Sequence, residues 1–88
     1  MRPLNFAILK YFTGVKEACA ADVIAALTGE YGHFKALKKP AVVEAIMTAE
    51  ANGLLQETRY ELDGSGRLCV YYAAPAEGSD TINHYIPD

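Results

Sequence analysis

The apolar residues of this chain change period after Asn52-Gly53, and that change limits the possible folds more than any other feature. Before it they recur at helical intervals. After it Thr58, Tyr60 and Leu62 alternate with Glu57, Arg59 and Glu61, and Leu68, Val70 and Tyr72 alternate with Cys69 and Tyr71. Period two is the signature of strands, whose successive side chains point to opposite faces. Between the two runs lies Asp63-Gly64-Ser65-Gly66, a composition suited to a hairpin turn. A two-residue loop at Gly64-Ser65 would set Leu62 opposite Arg67 and Tyr60 opposite Cys69, mixing the faces. A three-residue loop, Gly64-Ser65-Gly66, sets Leu62 opposite Leu68 and Tyr60 opposite Val70. The second register keeps the apolar sets together, which is what fixes pairing in a half-buried hairpin. It also places Gly66 where a three-residue hairpin takes a left-handed residue.

Three helices are predicted upstream. The first spans Pro3 to Thr13, with proline suited to a helix start, Leu4, Ile8, Tyr11 and Phe12 as a core stripe, and Gly14 as a stop. Phe6 and Leu9 widen its apolar surface, so a second cover is expected on this helix. Glu17-Ala18-Cys19 reads as a short extended segment. A second helix starts at Ala20 and runs to Thr28 or a little further, buried through Val23, Ile24, Leu27 and Tyr31, with Asp22 in its first turn. The connection from Gly32 to Lys39 has room for a helical turn, with Phe34 and Leu37 inward. The third helix runs from Pro40 to Asn52 and is expected to bury Val42, Val43, Ile46 and Met47. Its outward face is then Ala41, Glu44, Ala45, Thr48 and Ala51. After the hairpin, Pro75, Gly78 and Pro87 interrupt the chain, and residues 73–88 are read as an extension to a domain of residues 1–72.

Length and composition exclude several classes. Eighty-eight residues make one domain with a single core and a thin stability margin. An apolar fraction of 51% and a charged fraction of 22% argue against wholesale disorder. Two cysteines, Cys19 and Cys69, are too few for a disulfide scaffold and read as small apolar residues. With His33 and His84 lacking ligand-like spacing, no metal site is expected. No nucleophile with an adjacent base, phosphate-binding glycine loop or paired metal ligands appears, so neither catalysis, a cofactor nor a small-molecule ligand is expected. The N-terminus lacks the pattern of a signal peptide, and no apolar run approaches the ~20 residues of a membrane span. The expected setting is the cytoplasm, with reduced thiols. The net charge of −3 lowers the expectation of a nucleic-acid partner without removing it, because a few clustered cations suffice.

Helix, short strand, helix, helix and hairpin is the order of an α+β winged helix-turn-helix domain. The run Ala49-Glu50-Ala51-Asn52-Gly53-Leu54-Leu55, with Tyr60-Glu61-Leu62-Asp63-Gly64-Ser65-Gly66-Arg67 after it, resembles the end of the recognition helix and the wing of bacterial MarR-like and PadR-like regulators. The resemblance covers Leu4 to Tyr72. It implies duplex DNA as partner, bound by a homodimer whose third helix enters the major groove while the wing touches backbone or minor groove.

The residues divide on that implication. Lys35, Lys38 and Lys39 stand at or just before the third helix, where they and its N-terminal amides suit phosphate. Arg59 and Arg67 flank the hairpin, and Arg67 sits beside the turn, where a wing contact would fall. Glu57, Glu61 and Asp63 would oppose phosphate or pair with those arginines in a salt-bridge ladder. Base reading favours Arg, Lys, Asn and Gln, and none lies mid-face on the third helix, which leaves Glu44 and Thr48 as polar candidates. The rival expectation is a protein-interaction module without DNA binding. Phe6, Leu9, Ile82, Tyr85 and Ile86 are the candidate contacts with a partner subunit under either reading.

Overall fold

A computed structural model describes residues 2–87. Its elements run α1 (Leu4–Thr13), α2 (Ala20–Tyr31), α3 (Lys39–Ala51), β1 (Gln56–Leu62), β2 (Leu68–Ala73) and α4 (Ala76–Tyr85). The order is that of a winged helix, with a fourth helix beyond the expected three. Among the described residues, no helix is long and apolar enough to cross a membrane.

Each helix boundary has a local cause. Pro3 precedes α1 with extended backbone, and its carbonyl accepts from the Ala7 amide at 3.0 Å. Cys19 begins α2, and its amide donates to the Asp22 carboxylate at 3.1 Å, so the first-turn acid reaches back to the start of the helix. Helix α2 continues to Tyr31, past Gly29, and Tyr31 donates its hydroxyl to the Arg2 carbonyl at 2.6 Å. The loop to α3 holds single turns, with Phe34 packed edge-on against Tyr31 and Leu37 buried, as expected. Gly53, at φ +79°, ends the third helix in the left-handed conformation that glycine accepts without cost.

The core joins Ile8 and Phe12 of α1, Val23 of α2, and Val42, Ile46 and Ala49 of α3. The rotation of α3 differs from expectation. Its buried residues are Val42, Ile46 and Ala49, whereas Val43 is half-buried and Met47 is 54% exposed. Positions 42, 46 and 49 follow the i, i+4, i+7 spacing of a narrow stripe. Ala41 and Ala45, expected outside, are half-buried and line a groove with Ile8 and Leu9 of α1. With Ala41 and Ala45 turned toward α1, Met47 falls on the far side of the helix.

The hairpin has the three-residue loop. Leu62 pairs with Leu68 and Tyr60 with Val70, and Gly66 has φ +82°. The Asp63 carboxylate organises the turn by accepting from the Ser65 amide, the Ser65 hydroxyl and the Arg67 amide, at 2.9, 2.7 and 2.9 Å. Burial grades along the hairpin. Leu62 and Leu68 near the turn are 69% and 53% exposed, Val70 is half-buried, and Tyr72 packs on the core. The apolar face expected to be half-buried is therefore covered at its base alone.

Two links anchor that base. Ala18 exchanges backbone hydrogen bonds with Tyr72 at 2.9 and 2.8 Å, which makes the short extended segment a third, single-residue strand. Beside it, a bulge between Glu57 and Arg59 interrupts the alternation of β1 and leaves Thr58 as the extra residue. The bulge brings Thr58 and Arg59 to one acceptor. The Thr58 hydroxyl donates to Glu17 at 2.9 Å, and Arg59 Nε donates to the same carboxylate at 2.7 Å. Arg59 also pairs with Glu61 at 2.6 Å and lies 3.9 Å over the Tyr71 ring.

Residues 73–87 fold back on the domain. Pro75 starts α4, which packs along α1, with Ile82 and Ile86 buried. Gly78, which reads as an interruption, is instead a contact. A β-carbon there would stand 2.3 Å from the Leu54 carbonyl oxygen and 3.1 Å from its Cα, so the α4 backbone lies directly on the loop after α3. Gly78→Ala is expected to cost about 1–3 kcal/mol, the range for forcing extra volume into a packed contact. Urea denaturation checks it, and an unchanged midpoint would place α4 elsewhere.

The wing anchor has a pH signature. The Glu17 carboxyl is held below the usual range by the Thr58 hydroxyl first and Arg59 second, and the Glu61 carboxyl by Arg59 first. A depressed carboxyl favours the folded wing above its unfolded value of about 4.3, and that contribution fades as pH falls through the lower folded value. Carbon-detected NMR titration of Arg59→Gln should show the Glu61 midpoint rising toward the ordinary value and that of Glu17 rising part of the way, since Thr58 remains. Midpoints that do not move would remove Arg59 from the anchor.

Candidate nucleic-acid interface

Helix α3 and the wing present adjoining surfaces. The N-terminus of α3 is built from Lys38 and Lys39, followed by Pro40, with no acidic residue in the first turn and no side chain capping it. Lys35 is exposed in the preceding loop. Among the described residues, no carboxylate lies within ion-pair distance of Lys35, Lys38, Lys39 or Arg67. Lys39 does feel the Asp63 carboxylate at longer range, and that attraction is the least of the influences lowering the Asp63 carboxyl; the Ser65 hydroxyl is the largest. The turn of the wing and the start of α3 are thus electrostatic neighbours. The amide of Arg67 is held by Asp63, which fixes where its exposed side chain starts.

Arg59 stands apart from these cations. Its guanidinium pairs with Glu17 and Glu61 and covers Tyr71, and those partners push its pKa further up. Among the expected wing contacts it is the one used internally, as in the salt-bridge ladder weighed against it. Its role here is to hold the wing to the segment before α2.

The outward face of α3 carries Pro40, Val43, Glu44, Met47, Thr48 and Ala51 around a shallow open depression. Glu44 and Thr48 are exposed there, as the sequence pattern expects. Val43 and Met47 are the residues that pattern missed. The paired apolar residues 42–43 and 46–47 satisfy a helical stripe in either of two rotations, and the alanines facing α1 decide between them. Val43 and Met47 also wall a cleft of about 330 Å³ shared with Lys39, Leu68, Val70 and Tyr72. An apolar strip therefore runs from α3 onto the wing.

The residues grouped as candidate partner contacts do not share one exposed surface. Ile82 and Ile86 are 2% and 6% exposed, used within the chain by the packing of α4. Leu9 is half-buried against the core. Phe6 and Tyr85 remain exposed, at 45% and 75%. Cys19 is buried and Cys69 half-buried, both as free thiols.

No protein-family model and no curated protein matches the sequence. A solved structure does match in fold. PadR of Bacillus subtilis, in a crystal structure with operator DNA, superposes with a TM-score of 0.76 at 19% identity. The match covers 100% of this chain and 49% of that one, so the chain spans about half the length of this neighbour. The chain is a winged helix-turn-helix domain, α+β in class and similar in fold to PadR.

Proposed function

We propose that this chain binds duplex DNA as a transcriptional regulator, with α3 in the major groove and the turn of the wing against the flanking backbone. The observation that carries the reading is the start of α3. Two lysines stand at the positive end of a helix, with no acid in its first turn and no cap on its amides. Cations at that end are unfavourable in the free protein. A phosphate oxygen there would relieve the repulsion while accepting from the open amides. Arg67, exposed beside the turn and without an ion-pair partner among the described residues, would add a contact from the wing. The structural neighbour, PadR, was crystallised in complex with operator DNA, which agrees with this assignment.

The proposed assembly is a homodimer working in the cytoplasm, and the proposed activity is binding rather than catalysis. Exposed Phe6 on α1 and Tyr85 on α4 support a self-contact on the helical side of the domain. Light scattering of Phe6→Asp should show a smaller particle than the unsubstituted chain. A substituted and an unsubstituted chain of equal mass would refute that contact.

Affinity drawn from phosphates falls linearly with the logarithm of salt concentration. Fluorescence anisotropy with labelled duplex should show this. Lys38→Ala, Lys39→Ala and Arg67→Ala should each lower the slope by about 0.9. The two lysine variants should melt no lower than the parent chain, because each removes a cation from the wrong end of a helix. A folded protein that leaves duplex DNA unbound at low salt would falsify the proposal.

A further inference from the structure

We infer that α3 selects its DNA site through the C5-methyl groups of thymine, by apolar contact rather than by hydrogen bonds to base edges. The inference rests on the DNA-binding reading above and names what the same face recognises.

The side chains available to a groove decide the matter. Across the centre of the outward face stand Val43, Glu44, Met47, Thr48 and Ala51. Bidentate base reading needs the donors of Arg, Lys, Asn or Gln. Lys39 lies at the N-terminal end of the face. Asn52 lies at the other end, where its side-chain amide donates to the Thr48 carbonyl at 3.0 Å and so serves to close α3. Glu44 offers acceptors alone, and its charge is repelled by the phosphates lining a groove. What remains is apolar apart from the Thr48 hydroxyl, which can bond to more than one base and so selects weakly, while the Thr48 methyl group adds to the apolar surface. The major groove displays one methyl group among the four bases, that of thymine.

Met47 suits that target. It is 54% exposed on a helix whose other large apolar residues are covered at least in part. Its unbranched thioether adapts to an irregular apolar surface. Val43 stands one turn before it, and the two share the cleft with Leu68 and Val70, so the apolar strip extends beyond the helix. Lys39 lines this strip directly, Lys38 precedes it at the start of α3, and Arg67 stands next to Leu68 in the wing; among the described residues none of the three has an ion-pair partner, and their charge is complementary to phosphate. A neutral reading strip bordered by cations fits a duplex better than it fits an apolar protein surface, which would leave those cations without partners.

Uracil differs from thymine by the methyl group alone, and 5-methylcytosine carries a methyl group at the same position. The full chain is titrated by anisotropy into short duplexes of alternating A–T and alternating A–U, then alternating G–C with and without 5-methylcytosine. The expected result is weaker binding to the uracil duplex, about fourfold per methyl contacted, and tighter binding when cytosine is methylated. Met47→Ala, an exposed substitution whose folding is checked by a thermal melt, should bring the thymine-to-uracil ratio toward one. Equal affinity for the thymine and uracil duplexes overturns the inference and leaves DNA binding standing, as does a ratio that Met47→Ala does not change. Absence of binding to every duplex at low salt overturns the DNA-binding reading itself, and points the strip toward a protein partner.

Discussion

Burial of Val42, Ile46 and Ala49 sets the rotation of α3 about its axis, and the chemistry of the exposed surface follows from that rotation. A helix has one degree of freedom in a packed domain that its sequence specifies weakly when apolar residues come in adjacent pairs. Here Ala41 and Ala45 face α1 across a groove, and Val42, Ile46 and Ala49 take the core. Had the helix turned about one residue further, Met47 would be core and the outward face would be alanine with one glutamate and one threonine. In the observed rotation the face is apolar at its centre and cationic at its start. Close packing makes the choice discrete, because a core at crystal-like density offers few intermediate arrangements.

The wing depends on a second, smaller constraint. An isolated two-stranded hairpin is marginal in water. This one gains a foothold at its base, where Ala18 pairs with Tyr72 and Glu17 receives both Thr58 and Arg59. The bulge makes the double contact possible, since in a regular strand adjacent residues point to opposite faces. Toward the turn no such cover exists, and order comes from Asp63 gathering three donors within the loop. The hairpin is therefore held at both ends, by an ion-paired anchor at the base and a self-contained turn at the tip, with exposed apolar residues between.

Period and turn chemistry made most of this architecture legible in the sequence. The register of the hairpin followed from matching faces, and the left-handed Gly66 from loop length, because both are local consequences of a two-residue repeat. The three leading helices were legible from their apolar spacing and their stops. Three features were not. Helix α4 was hidden because Gly78 and Pro75 read as breakers, whereas one is a backbone contact with Leu54 and the other a helix start. Glu17 gave no signal, since its partners lie 41 and 42 residues away. The place of Met47 depended on tertiary packing. At the candidate interface, the positions of Lys38, Lys39, Glu44, Thr48 and Arg67 were legible, and the diversion of Arg59 into the anchor was open to anticipation from its acidic neighbours alone.

A chain of net charge −3 is an unpromising partner for a polyanion until its charges are located. Several of the carboxylates nearest the wing are already engaged, Glu17 and Glu61 by Arg59 and Asp63 by the amides of its own turn. Glu30 on α2, and Glu77 and Asp80 on α4, belong to elements outside the surface formed by α3 and the wing. At physiological ionic strength exposed charges are largely screened beyond a Debye length of about 8 Å. In the proposed complex the field at a phosphate would then be set by the nearest groups, Lys38, Lys39 and Arg67 against the opposing charges of Glu44 and Asp63. So small a set of cations would give a limited electrostatic attraction, and the remaining affinity of the proposed complex would have to come from the surface beside them. The apolar strip of Val43 and Met47 adjoins Lys39 there, so in the proposed complex modest charge and an apolar outward face would be complementary features of the same surface.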